Sequence, residues 1–161
     1  MGIRINYAKS TKDFDKTKIL FMEYAESLDF SLSFQNFEDE IECVPGKYQK
    51  PDGCIILAWE KLDCIGCVCM RPLNDTSCEI KRLYVKPTFR GRGLGQLMTR
   101  KIIRYSKERN YTKILLDTIT SMKTAIKIYK SLGFVETEPY YNNPLPDVVF
   151  FELNLIGPTK S

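Results

Sequence analysis

Apolar residues change their spacing several times along this chain, and each change marks an element. Ile3 to Ala8 alternates apolar and polar positions, the period of a half-buried strand. Phe14, Phe21, Tyr24 and Leu28, with Lys18 between them, then fall at helical intervals. Ser10 and Asp13 ahead of that run form a capping-box-like S-x-x-D. Asn36 is the expected cap of a short second helix through Cys43, which Pro45-Gly46 ends. Cys54–Glu60 and Cys64–Arg71 read as strands joined by the tight turn Lys61-Leu62-Asp63. Asn74-Asp75 turns the chain into a third strand at Glu79, and the three predict an antiparallel meander.

Beyond the third strand the helical period returns. Leu94, Leu97, Met98, Ile102 and Tyr105 form one apolar stripe. Lys113–Thr118 is the next strand, parallel to the Glu79 strand because a βα unit leads to it. A helix over Met122–Leu132 stops at Gly133, and Val148–Leu153 closes the pattern as a last strand. The expectation is an α+β domain over residues 1–156, with a mixed, mostly antiparallel sheet flanked by helices and a short tail at 157–161. No linker or repeat divides it.

Between the third strand and its helix stands Arg90-Gly91-Arg92-Gly93-Leu94-Gly95. A strand feeding a glycine-rich turn that opens a helix gathers unsatisfied N–H groups at the positive end of the helix dipole, a site for phosphate or pyrophosphate. Glycines there let the backbone approach such a ligand closely, and arginines add fork-shaped donors. A Walker loop requires G-x-x-x-x-G-K-[ST], which is missing. A Rossmann turn requires G-x-G-x-x-G after an apolar strand. Here the third glycine position is Gln96 and the strand carries Glu79, Lys81 and Arg82, although Asp117 lies where a ribose-binding acid would fall.

Composition narrows the chemistry. The chain has 161 residues, a size for one domain with a sizeable core, and its 43% hydrophobic and 27% charged residues are ordinary for a globular protein. A net charge of +4 suits an anionic cofactor but makes no case for nucleic acid. No apolar run reaches bilayer length and the first residues form no apolar signal core, so no membrane partner and a cytoplasmic location are expected. Histidine is absent, which excludes Ser-His-Asp and Cys-His catalysis and histidine-ligated metals. Acid and base duties must fall to Glu, Asp, Tyr, Cys or water. The six cysteines include Cys64-Ile65-Gly66-Cys67, but no second pair stands at zinc-ribbon spacing. They read as small buried apolar residues, and no metal is expected.

The turn also fits every position of [RQ]-x-x-G-x-[GA], and in this it resembles the Gcn5-related N-acetyltransferase (GNAT) family. Glu79–Val85 is similar to that family's cofactor-lining fourth strand. Ala125-Ile126-Lys127-Ile128-Tyr129-Lys130-Ser131-Leu132-Gly133-Phe134 is similar to its A-x-x-x-Y-x-x-x-G-F signature. The chain departs from the pattern at Met122, where many members carry Asn.

The resemblance implies the acyl-CoA N-acyltransferase fold and acetyl-CoA as cosubstrate. Its pantetheine arm would lie between the splayed Glu79–Val85 and Lys113–Thr118 strands. Leu83, Tyr84, Val85 and Thr118 would line that arm, and Arg90, Gly91, Arg92, Gly93, Leu94, Gly95 and Gln96 would hold the pyrophosphate. It implies Tyr129 as the acid that protonates the leaving thiolate, although the helical stripe containing Tyr129 reads equally as core. Glu79 is the implied base, directly or through water, against the alternative of a solvated strand-end acid. Phe34, Asp117, Tyr140, Tyr141 and Asn143 would wall the acceptor pocket. The implied acceptor is a small-molecule or protein amine attacking the thioester directly, in a monomer or homodimer. A non-catalytic acyl-CoA-binding module of the same fold is the alternative.

Overall fold

The computed structural model describes residues 2–156, apart from the side chain of Phe34; the tail at 157–161 lies outside the described residues. Its strands are β1 (Ile3–Tyr7), β2 (Cys54–Glu60), β3 (Asp63–Pro72), β4 (Ser77–Val85), β5 (Lys113–Ile119), β6 (Val135–Thr137) and β7 (Val148–Asn154). The helices are α1 (Thr11–Glu26), α2 (Phe37–Glu42), α3 (Leu94–Glu108) and α4 (Lys123–Ser131). The strands form one seven-stranded sheet in the order β1-β2-β3-β4-β5-β7-β6. The expected meander β2-β3-β4 is present, and the β4–β5 pair is parallel, set by the crossover through α3. Among the described residues no helix is long and apolar enough to cross a membrane.

The sheet is covered on both faces, which is why β2 and β3 read as nearly unbroken apolar runs. Cys54, Ile56 and Ala58 of β2 face α3, packing with Met98 and Ile102. Ile55, Leu57 and Trp59 face α1, packing with Leu20 and Phe21. Ser10 caps α1 as expected: its hydroxyl accepts from Asp13 N while the Asp13 carboxylate accepts from Ser10 N. Such a cap stabilises a helix by about 1 kcal/mol.

Two expectations are corrected, and one strand was missed. Leu97 does not belong to the α3 stripe: it is 52% exposed, and the small residues Gly95, Thr99 and Ser106 complete the buried face instead. Asn36 precedes α2 in the left-handed conformation and its side chain caps nothing. The edge strand β6 was not expected; three residues between a glycine and a proline-rich loop are too few for a legible period.

Five of the six cysteines are buried. Burial pushes the thiols of Cys54, Cys64 and Cys78 up to about 12.

Candidate active site

The glycine turn ends in a helix with no side-chain cap. Gly93 occupies the cap position at φ +77°, and the bond from Leu97 N to Gly93 O opens the helical ladder. The N–H groups of Leu94, Gly95 and Gln96 therefore have no helical partner and face outward with the dipole behind them. Gly91 and Gly93 are needed for their positive φ of +82° and +77°, with open space where a Cβ would stand. Gly95 has a different reason: a Cβ there would lie 2.9 Å from Ile128 Cδ1 of α4.

The turn's side chains are partly engaged within the protein. Arg90 Nε donates to Val85 O at 2.8 Å and its guanidinium lies over the Tyr84 ring, so it braces the turn rather than standing free. Arg92 stacks over Phe89. Gln96 Nε2 donates to Ser131 Oγ at 3.1 Å, and Leu94 is buried in the core, so these two offer a ligand only their main chain.

Next to the turn the sheet forks. β4 and β5 pair only through Ser77↔Lys113, Cys78↔Ile114 and Glu79↔Leu115, while β5 stays paired with β7 as far as Ile119↔Val148. Past Glu79 the two strands have left each other. Lys86 N donates to Ile65 O, so alternation along β4 turns the main chain of Tyr84 toward β3 and that of Leu83 and Val85 toward the fork. Tyr84 is thus placed away from the fork. Its ring packs edge-on against Tyr24, and its hydroxyl donates to Glu23.

A bulge decides which side chains meet at the fork. Cys67 pairs with Tyr84 and Cys69 with Lys81, so Arg82 and Leu83 both stand opposite Val68, with Arg82 at φ +62°. Cys78, Ile80, Leu83 and Val85 consequently face α3, whereas Glu79, Lys81, Arg82 and Tyr84 share the α1 face. A chamber opens there, floored by Lys81, Arg82, Asp117 and Thr118, with apolar walls from Leu28, Phe30, Leu145 and Val148. Tyr129 and Met122 line its α4 side.

Buried charges tie the chamber together. Arg71 Nε donates to Glu79 Oε1 at 2.9 Å, and the Tyr140 hydroxyl donates to Glu79 Oε2. The Tyr141 hydroxyl and Asn143 Nδ2 both donate to Asp117 Oδ2, the latter at 2.7 Å. Lys81 Nζ stands 3.6 Å from Asp117 Oδ1 and 3.9 Å from Glu79 Oε2. Arg82 forks onto both oxygens of Glu40 and onto Gln35, whose amide donates to the Tyr141 hydroxyl. Burial, with Glu79 beside it, pushes the Tyr140 phenol up; burial and the bond to Asp117 do the same for Tyr141. Burial lowers Lys81 against the pull of Glu79 and Asp117.

Asp117 and Asn143 line the chamber, whereas Tyr140 and Tyr141 are not among its lining residues and are hydrogen-bonded to Glu79 and Asp117. Glu79 is 1% exposed, both its oxygens are hydrogen-bonded, and it is not among the residues lining the chamber. The carboxylate that lines it is Asp117. Tyr129 is buried against Phe134 at 5.6 Å, yet among the described residues nothing hydrogen-bonds its hydroxyl. Burial raises that phenol above its usual value. The expected wall residue Phe34 has its side chain outside the described residues. Lys81, Arg82, Gln35 and Arg71 were not expected as site residues. The one signal, for Lys81 and Arg82, was two adjacent cations in a strand between apolar neighbours.

The profile described as the acetyltransferase (GNAT) family matches residues 17–134. An uncharacterized N-acetyltransferase of Schizosaccharomyces pombe is 40% identical over 156 residues, 96% of each chain. A GNAT-family acetyltransferase structure from Staphylococcus aureus superimposes with a TM-score of 0.79 at 20% identity, over 96% of this chain and 99% of that one. Another, from Elizabethkingia anophelis with acetyl-CoA bound, superimposes with a TM-score of 0.68 at 20% identity, over 95% and 98%. At such identity the structural likeness speaks to the fold alone.

Proposed function

This chain belongs to the acetyltransferase (GNAT) family, whose cosubstrate is acetyl-CoA, and from that premise we propose that it moves the acetyl group onto a primary amine by direct attack on the thioester. The observation that carries this reading is the fork. Main-chain groups of Leu83 and Val85 without a ladder partner lead from an uncapped helix N-terminus to a chamber with a free phenol. An amide-bearing arm can pair with those groups as an added strand, while pyrophosphate takes the N–H groups of Leu94, Gly95 and Gln96.

The amine has a pKa of about 10 and must lose a proton to attack. Asp117 lines the chamber and its Oδ1 accepts no hydrogen bond among the described residues, so it, in place of Glu79, takes that proton directly or through water. The amine nitrogen bonds to the acetyl carbon, the C–S bond breaks, Tyr129 gives its phenolic proton to the departing thiolate, and the second proton of the attacking nitrogen restores the phenol. The Val85 N–H, turned into the fork, supports the carbonyl oxygen as its charge grows. Glu79 acts from behind, fixing Arg71 and Tyr140. The unbonded Tyr129 hydroxyl favours transfer over a purely acyl-CoA-sensing role.

Thermal melting tests the cosubstrate. CoA at 100 times its dissociation constant stabilises a binding-competent fold by about 2.7 kcal/mol, a shift of roughly 5–10 °C for a chain of this size. NAD and ATP at equal concentration should shift it little; stabilisation by NAD alone would overturn the assignment. CoA release in the presence of an amine panel then separates an enzyme from a sensor.

A further inference from the structure

The chamber floor holds two groups whose hydrogen-bonding capacity is open. Lys81 is buried to 6% exposure and lines the chamber. Its ammonium makes no hydrogen bond among the described residues. The carboxylate oxygens of Asp117 and Glu79 stand at 3.6 and 3.9 Å, beyond hydrogen-bond reach. Nor is the nitrogen sealed, since the one sealed side-chain polar atom without a partner among the described residues is the Tyr48 hydroxyl oxygen. The ammonium's donors are therefore not saturated within the protein, and the residue that carries them lines the chamber. Asp117 Oδ1, 3.6 Å away, is the open acceptor, its sister oxygen being held by Tyr141 and Asn143.

Such a pair selects its complement. A buried ammonium without hydrogen bonds gains most from an anionic oxygen, and an open carboxylate oxygen gains most from an amine N–H. Because the two protein groups are so close, the ligand's amine and anion must be equally close, as they are on one α-carbon. The neighbouring charges set the anion's valence. Lys81 and Arg71 balance Glu79 and Asp117, so a zwitterion leaves the cluster neutral and a phosphate dianion does not. Resting on the transfer reading above, we propose that the acceptor is a free α-amino acid, its carboxylate on Lys81 and its amine on Asp117. A polypeptide N-terminus lacks the carboxylate.

The test is an acetylation assay by mass spectrometry of the product, which avoids the protein's own thiols. L-α-amino acids are compared with their α-carboxamides, the matching decarboxylated amines, and short peptides. At least one α-amino acid should be acetylated with kcat/KM about 10² or more above its amide, the discrimination expected when a buried donor loses its partner. Lys81→Met should raise KM for that amino acid by a similar factor and erase the preference over the amide. Acetyl-CoA affinity should be kept, and Lys81→Arg should restore part of the preference. An amide, plain amine or peptide used as well as the free acid overturns the proposal and leaves the transfer reading standing; acetylation of nothing overturns both. If Lys81→Met fails to fold, the wild-type panel alone decides.

Discussion

Replacing Tyr129 by Phe isolates one oxygen atom at the point where the two halves of the site meet. The ring lies against Phe134 at 5.6 Å, and both that contact and the core burial survive the change. The lost hydroxyl has no hydrogen-bond partner among the described residues, so its removal orphans nothing. The cost to stability should stay within about 0.5 kcal/mol in either direction, or roughly 1–2 °C in Tm. Acetyl-CoA affinity should hardly change, because the phenol acts when the thiolate leaves. Turnover should fall about 10²–10⁴-fold, the contribution of one positioned acid, which corresponds to roughly 3–5 kcal/mol of barrier. The phenol's raised pKa fixes the sign of the pH dependence. A group held above its usual value of about 10 stays protonated across the working range, so wild-type kcat should show no loss from Tyr129 ionising below about pH 10. The assay is kcat and cofactor affinity for both proteins, with melting curves as controls. If the Phe variant keeps more than about a third of wild-type kcat while chemistry limits the rate, Tyr129 leaves the mechanism and water becomes the acid.

Two further outcomes follow from the packing. Gly95→Ala puts a Cβ 2.9 Å from Ile128 Cδ1, the end of a flexible side chain, and the crowding offsets the gain of about 1 kcal/mol in helix propensity; Ile128→Val, which removes that atom, should therefore cost at least ~0.5 kcal/mol less in the Gly95→Ala background than alone in denaturant melts, and strict additivity would refute the contact. A thiol reagent at pH 8 should find one fast cysteine, Cys43, and reach six only after denaturation, because the other five are buried and several are held near 12; a second fast thiol would contradict the packing.

What the sequence reveals and what it hides divide along the range of the forces involved. The Arg90–Gly95 turn, the Ser10 cap and the βα order are local, and all stand where the spacing puts them. The fork follows from the crossover once β5 is known to be parallel. The bulge at Arg82 was hidden, because it depends on how β4 registers against β3, a long-range match that no window of β4 records. Without the bulge, strict alternation would send Arg82 to the α3 face. Its burial with Glu40 on the α1 face, and with it the charged chamber floor, was therefore invisible. The surroundings of Glu79 were hidden for a related reason: its partners Arg71 and Tyr140 come from β3 and from the loop before β7, and only the fold brings them together.

That same bulge gives β4 a division of labour. On the transfer reading proposed above, Lys81 and Arg82, before and at it, serve the acceptor side with Glu79 behind them, while Leu83 and Val85 beyond it turn their main chain toward the donor side. The two proposed recognition tasks thus occupy consecutive stretches of one strand. Charge swaps over the first stretch, and in the loop that carries Tyr140 to Asn143, can retune which amine enters without touching the groups that hold acetyl-CoA. A lineage of such enzymes can diversify its acceptors by drift in a few side chains while inheriting its donor machinery unaltered.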